Sequence, residues 1–146
     1  MTRGMLVTVL HRLAGAPQTA GPHAFADVAA DAYYAEAVGW AASLGITSGT
    51  TATTFEPERA VTRQELAVLL NGYAQAMGYA LPVVQAAADF TDGETIAPWA
   101  AQSVRVMQQA GIMSGRGQGC FDPQGTATRA ETAAVLRRLV EGIGAR

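Results

Sequence analysis

Three arginines occupy equivalent places in the sequence, each directly after a threonine and at the start of an apolar, helix-like run: Arg3, Arg63 and Arg129. The start of a helix carries partial positive charge, so a cation there is unfavourable by roughly a few tenths of a kcal/mol. One exposed arginine in such a place would need no explanation, but three in register favour a shared task. A guanidinium beside the free backbone N–H groups of a helix start provides the chemistry of a carboxylate or phosphate site.

The neighbours of these arginines have a structural explanation of their own. Thr62 with Glu65, and Thr128 with Glu131, have the Thr-x-x-Glu spacing of a capping box. In that motif the threonine hydroxyl accepts from the third helical N–H, and the glutamate reaches back to the threonine N–H. We therefore expect threonine and glutamate to close these helix starts, which leaves the arginine available for a ligand.

Composition bounds the class of protein. With 146 residues and a formal charge of -2, the chain fits one compact domain with no global field that would draw it to nucleic acid or to an anionic membrane. Recognition of an anion must therefore be local. The single cysteine, Cys120, excludes an intramolecular disulfide. Residues 1–13 are too short and too polar for a secretory signal, so the signal of a secreted protein would lie outside this chain.

The sequence repeats at an offset of 66 residues, which separates Thr62 from Thr128. A third, partial copy opens the chain at Thr2. We therefore predict the second helix and connector of a truncated first repeat over residues 1–20, a second repeat over 21–80 and a third over 81–146, within one compact domain. The offset pairs Tyr33 with Trp99, Gly45 with Gly111, Ser48 with Ser114, Gly49 with Gly115, Phe55 with Phe121 and Pro57 with Pro123.

Each repeat has the pattern helix, loop, helix, and the fold class is therefore predicted to be all-α. The first helices should run from about Asp31 to Leu44 and from about Ile96 to Ala110, each ended by a glycine. The second helices should begin at Thr62 and Thr128. Their apolar stripes are Leu66, Leu69, Leu70, Tyr73 and Met77 in one, and Ala133, Val135, Leu136, Leu139, Val140 and Ile143 in the other.

The two full repeats share a fixed order of motifs. "FADV", "YYAEAV", "LGITSG" and "FEPERAVTRQE" are followed by "FTDG", "WAAQSV", "AGIMSG" and "FDPQGTATRAE". Over nearly the whole chain they resemble the Phe-x-Asp turn, Trp-Ala helix, Gly-Ile loop, Phe-x-Pro turn and Thr-Arg-Ala-Glu helix start of S-layer homology repeats. The resemblance implies three all-helical repeats packed with pseudo-threefold symmetry. It also implies anchoring of surface-layer proteins or secreted enzymes to a bacterial secondary cell-wall polysaccharide, often through pyruvylated N-acetylmannosamine.

The resemblance further implies ligand-binding residues in grooves between repeats. The arginines would bind the pyruvate carboxylate, aromatic rings would stack on a sugar, and the Gly/Ser loops would donate hydrogen bonds. The aspartates of the Phe-x-Asp turns would accept from sugar hydroxyls or satisfy the backbone of their own turn. These residues are Arg3, Arg63, Arg129, Trp99, Tyr33, Ser48, Gly49, Ser114, Gly115, Asp27 and Asp92.

Departures from the family pattern concern mainly the first repeat. Tyr33 stands where the motif has tryptophan, Gly4-Met5 replaces Ala-Glu, and everything before the second helix of the first repeat is missing. Either the chain is part of a longer protein, or a partner completes it, for instance by exchange between identical subunits. The groove between the Arg63 helix and the third repeat should be the most complete site.

An enzymatic function has little support in the sequence. No nucleophile elbow, phosphate loop or His-Glu-x-x-His motif is present, and we expect neither metal nor cofactor. The favoured function is a non-catalytic anchor of a larger protein on a bacterial cell surface, with no membrane span. The alternative is a protein–protein assembly module whose sugar grooves are degenerate.

Overall fold

The computed structural model describes residues 1–19 and 23–144. Within these residues it contains α-helices and one short 3-10 turn at Gly93–Thr95, and no strand, which confirms the all-α prediction. The boundary predicted between residues 20 and 21 lies outside the described residues. The helices are α1 (Arg3–Leu13), α2 (Ala35–Ser43), α3 (Arg63–Ala76), α4 (Pro98–Gln109) and α5 (Arg129–Gly144).

The chain forms two compact units that meet in sequence at Val61 and Thr62. Each unit combines the second helix of one sequence repeat with the first helix of the next: α1 packs against α2 in the first unit, and α3 against α4 in the second. The predicted repeats over 21–80 and 81–146 stay a prediction about the sequence. Fully buried side chains form both cores: Leu6, Leu10, Val38 and Phe55 in the first, and Leu66, Leu70, Met107, Phe121 and Leu139 in the second.

Glycines end the first helix of each repeat, as predicted. Gly45 and Gly111 have φ angles of 74° and 73°, which an L side chain rarely adopts. After α2, the N–H of Ile46 donates to the carbonyl of Ala41 at 2.8 Å. This bond across the glycine is typical of a Schellman motif, and it turns the chain sharply into the loop that follows.

Two details of the predicted helices are wrong. The helix α2 begins at Ala35 rather than near Asp31, because the preceding residues form turns in which the Ala35 N–H donates to the Ala32 carbonyl at 3.0 Å. Leu44, the last residue of a predicted first helix, is 46% exposed, and in the predicted stripe of α5 Val140 is 49% exposed and Ala133 is also exposed. Thr132 is buried in α5 instead, since its hydroxyl donates to the Thr128 carbonyl at 2.8 Å and so needs no water.

Candidate functional site

The Phe-x-Pro turn of the second unit, residues 121–123, is held by an aspartate. The carboxylate of Asp92 accepts from the backbone N–H groups of Phe121 and Asp122, both at 2.8 Å. Asp122 has a φ of 59°, in the left-handed region that costs a non-glycine residue about 1–2 kcal/mol. The two hydrogen bonds offset that cost. In the first unit, Asp27 holds the turn at residues 55–57 in the same way.

These contacts also govern the ionisation of the aspartate. Partial burial raises the pKa of Asp92, but the hydrogen bonds from Phe121 and Asp122 outweigh it, so the pKa lies below its ordinary value. Asp92 and Asp27 therefore have a structural task at the turns. Their contact with sugar hydroxyls stays a prediction.

We expect Asp92→Asn to lower the free energy of unfolding by about 1.5–3 kcal/mol, because the amide can accept from only one of the two N–H groups. Since folding lowers the pKa of Asp92, its stabilisation is present above about pH 3.9 and is lost as the pH falls through the folded-state pKa. Urea denaturation at pH 7 and at pH 3 measures both effects. The exposed Asp89→Asn is the control, and an equal loss in the two variants would contradict the assignment.

The motif arginine binds the other side of the same turn. Arg63 is 3% exposed, and its Nε donates to the carbonyl of Phe121 at 2.8 Å. Its guanidinium carbon lies 4.6 Å from the centre of the Phe121 ring, a cation–π distance. Arg3 makes the equivalent contacts with Phe55 in the first unit. The cation at the helix start therefore has a structural reason that the sequence analysis missed.

The backbone N–H groups at the start of α3 are not free for an anion. Those of Arg63 and Gln64 donate to the carbonyls of Gly125 and Pro123, both at 2.9 Å. The next N–H, of Glu65, donates to the hydroxyl of Thr62 in the predicted capping box. At the start of α1, the N–H groups of Arg3 and Gly4 likewise donate to the carbonyls of Arg59 and Pro57, in the turn of the first unit. The expected site built from free helix-start N–H groups is therefore wrong for α1 and α3.

Arg63 also forms one wall of a cleft of about 240 Å³ in the second unit. One terminal nitrogen donates to the carboxylate of Glu131 and the other to the carbonyl of Ser114. The predicted Arg63, Ser114 and Gly115 are thus brought together. The residues lining the cleft are Arg63, Met113, Ser114, Gly115, Arg116, Glu131, Ala134, Val135 and Arg138.

Glu131 does not complete the capping box that its sequence predicts. Thr128 does accept from the Glu131 N–H, at 3.0 Å. The Glu131 carboxylate, however, binds Arg63 on one oxygen and Arg116 on the other. Burial raises its pKa, but the hydrogen bonds from Arg116 and Arg63 outweigh that effect and lower it. Glu131 therefore stays ionised between two cations.

Two arginines of the cleft were not predicted as site residues. Arg116 binds Asp122 at 2.9 Å and the carbonyl of Thr126 at 2.8 Å, besides Glu131. Arg138, two helical turns after Glu131 in α5, donates to the carbonyl of Ile112 at 3.3 Å. The signal available in the sequence was weak: an arginine between two glycines, and one of two adjacent arginines on a helix.

Comparison with known proteins identifies the family. The model of the S-layer homology domain matches residues 24–67 and 89–133. The chain belongs to the S-layer homology domain family. This agrees with the resemblance read from the repeated motifs.

Relatives of this S-layer homology chain include enzymes and surface-layer proteins. It is 30% identical over 99% of its length to an amylopullulanase of Thermoanaerobacterium thermosulfurigenes. It is 31% identical over 83% to the surface-layer 125 kDa protein of Lysinibacillus sphaericus, and 30% over 97% to exoglucanase XynX of Acetivibrio thermocellus. The chain spans only 8%, 10% and 13% of these three proteins. Family and relatives together support a cell-surface anchoring module.

The other predicted site residues of the S-layer homology chain lie outside this cleft. Tyr33 and Trp99 are 63% and 61% exposed, as a ring that stacks on a sugar must be. Arg129 and Ser48 are also exposed. Gly49 has a structural need for glycine, because a Cβ there would lie 2.5 Å from the carbonyl of Thr54. Their roles towards a ligand stay predictions.

Over the described residues, no helix of this S-layer homology chain has the length and apolar character needed to cross a membrane. Nor do the His, Cys, Asp and Glu side chains of that part of the chain form a group of three or more that could hold a metal ion.

Proposed function

We propose that this chain anchors a larger protein to a bacterial cell wall by binding an anionic secondary cell-wall polysaccharide, without catalysis. The observation that carries the proposal is the cleft beside Arg63, which is lined by three arginines and one glutamate in a chain whose net charge is -2. Such a local excess of guanidinium groups favours a carboxylate or phosphate ligand. The polysaccharide proposed is a pyruvylated one, as in the family that the chain belongs to.

The cleft offers two kinds of contact to a pyruvylated sugar. Guanidinium groups would bind the carboxylate, and the Ser114–Gly115 segment, which lines the cleft, would offer hydroxyl and backbone groups to the sugar. The exposed rings of Trp99 and Tyr33 are proposed as additional stacking surfaces. Because the relatives are about ten times longer than the matched region, the proposed partner in cis is the remainder of a surface protein.

The proposal is tested by sedimenting the chain with purified pyruvylated wall polymer and with the same polymer after mild acid removal of the pyruvate. We expect saturable binding to the first, at least about tenfold weaker binding to the second, and recovery of intact polymer after incubation. Equal binding to both polymers would refute recognition of the pyruvate. Lack of binding by a chain that forms a stable oligomer would support the assembly module instead.

A further inference from the structure

The charged groups of the cleft are unequally neutralised. Arg63 and Arg116 share the carboxylate of Glu131, and Arg116 also pairs with Asp122. These two cations therefore face two carboxylates within the second unit. A ligand that bound either of them would have to compete with a carboxylate already in place.

Arg138 differs from the other two arginines. Its contact among the described residues is a 3.3 Å hydrogen bond to the neutral carbonyl of Ile112, and no salt bridge joins it to a carboxylate there. Its side chain is exposed, whereas Arg63, which lines the same cleft, is 3% exposed. Arg138 is thus the lining cation whose charge is not already matched.

The buried apolar residues that line the cleft strengthen an ionic contact made within it. Met113 and Val135 line the cleft and are 1% and 2% exposed, so an ion beside them borders on the apolar core of the unit. An ion pair with little water on one side is stronger than a fully solvated one. A carboxylate held by Arg138 would therefore gain more here than on an open helix surface.

The fold itself does not need a cation at this place. Gly72 stands at the corresponding position of α3 at the same offset of 66 residues, and α3 is helical throughout. A substitution of Arg138 should therefore leave the fold intact. Of the two full repeats only the third carries the charge at this position, and the partial first repeat has Arg12 there.

We propose that Arg138 is the residue that binds the ligand's carboxylate directly, and that Arg63 acts as a positioning residue. Arg63 holds the Phe121 and Ser114 carbonyls and the Glu131 carboxylate, and so fixes the loop and the opposite wall around the ligand. This assignment deepens the proposed function and rests on it. The ligand class is a sugar that bears a single carboxylate.

The test measures calorimetric binding of a pyruvylated N-acetylmannosamine glycoside and of its methyl ester, which has no charge. We expect Arg138→Gln to weaken binding of the acid at least about tenfold and to leave binding of the ester within about twofold. The control is Arg137→Gln, which removes the same charge from the adjacent residue of α5, where it pairs with Glu141 at 2.8 Å and does not line the cleft. It should change neither affinity by more than about twofold.

Charge-conserving variants separate the two roles. Arg138→Lys should keep most of the affinity, because an ammonium can still meet a carboxylate. Arg63→Lys should lose at least about tenfold although its charge is kept, because lysine lacks the planar fork that reaches three acceptors at once. The salt dependence of its residual binding should match that of the unmodified chain, since Arg138 still supplies the charge.

The outcomes distinguish the two proposals. If the unmodified chain binds neither the acid nor the polymer, the proposed function fails and the assignment of Arg138 fails with it. If the unmodified chain binds the acid and Arg138→Gln binds it as well as Arg137→Gln does, the proposed function stands and the assignment is overturned. Loss of affinity in Arg138→Lys together with retention in Arg63→Lys would overturn it as well.

Discussion

Replacing Arg63 by alanine is expected to lower the free energy of unfolding by about 2–4 kcal/mol and to weaken binding of the pyruvylated polymer at least about tenfold. The carbonyls of Phe121 and Ser114 would lose their donor, and Glu131 would keep only Arg116. Because Arg116 remains, the loss should stay below that of a fully buried pair with one partner removed. Urea denaturation and polymer sedimentation measure the two effects.

The same motif supplies the control for this variant. Arg129 follows a threonine at a helix start as Arg63 does, but it is exposed and does not line the cleft. Arg129→Ala should therefore change the free energy of unfolding by less than about 0.5 kcal/mol. If the two alanine variants were equally destabilised, the contacts of Arg63 with the Phe-x-Pro turn would not be the cause.

The second large effect is expected for Phe121→Ala, which should destabilise the chain by about 3–5 kcal/mol. Phe121 is fully buried, and the guanidinium of Arg63 lies over its ring. Phe121→Leu keeps most of the apolar volume but removes the ring, so it should cost less, about 1–2 kcal/mol. The urea midpoint measures both losses.

An apolar control lies in the same unit. Val140 is 49% exposed on α5, and Val140→Ala should change the free energy of unfolding by less than about 0.5 kcal/mol. A loss for Phe121→Ala no larger than this would contradict the view that the turn is anchored in the core.

Much of the fold could be predicted because its helix starts and ends have local sequence signals, and these signals occur in both full repeats. The offset of 66 residues aligned two helix starts, and glycines marked two helix ends at Gly45 and Gly111. The error at the start of α2 arose because the residues before Ala35 share the helical spacing yet bond as turns. Spacing reports which side chains share a face and not which backbone hydrogen bonds form, so it predicts helices better than their ends.

The ligand-binding roles of the predicted site residues stay predictions, but the structure shows which of these residues lie close together. Arg63, Ser114 and Gly115 do meet at one cleft. The partner that explains Arg63 is Phe121, 58 residues away along the chain, and Glu131 leaves its capping box to pair with two arginines. Neither contact has a local signature. Capping chemistry describes what a glutamate can reach along its own helix, and it says nothing of cations that the fold brings close.

Arg116 and Arg138 show the limit most clearly. Each lies in a context that sequence alone describes as ordinary, a glycine-rich loop and an exposed helix face. They line one cleft because α5 packs beside the loop at residues 112–116, and this tertiary contact has no local sequence signal.

The most direct test of the central claim is a crystal structure of the chain with pyruvylated N-acetylmannosamine bound. We predict the pyruvate carboxylate in the cleft of residues 63, 114–116 and 138, within about 3 Å of a guanidinium nitrogen. A sugar bound only at the exposed rings of Tyr33 or Trp99, with the cleft beside Arg63 unused, would contradict the account.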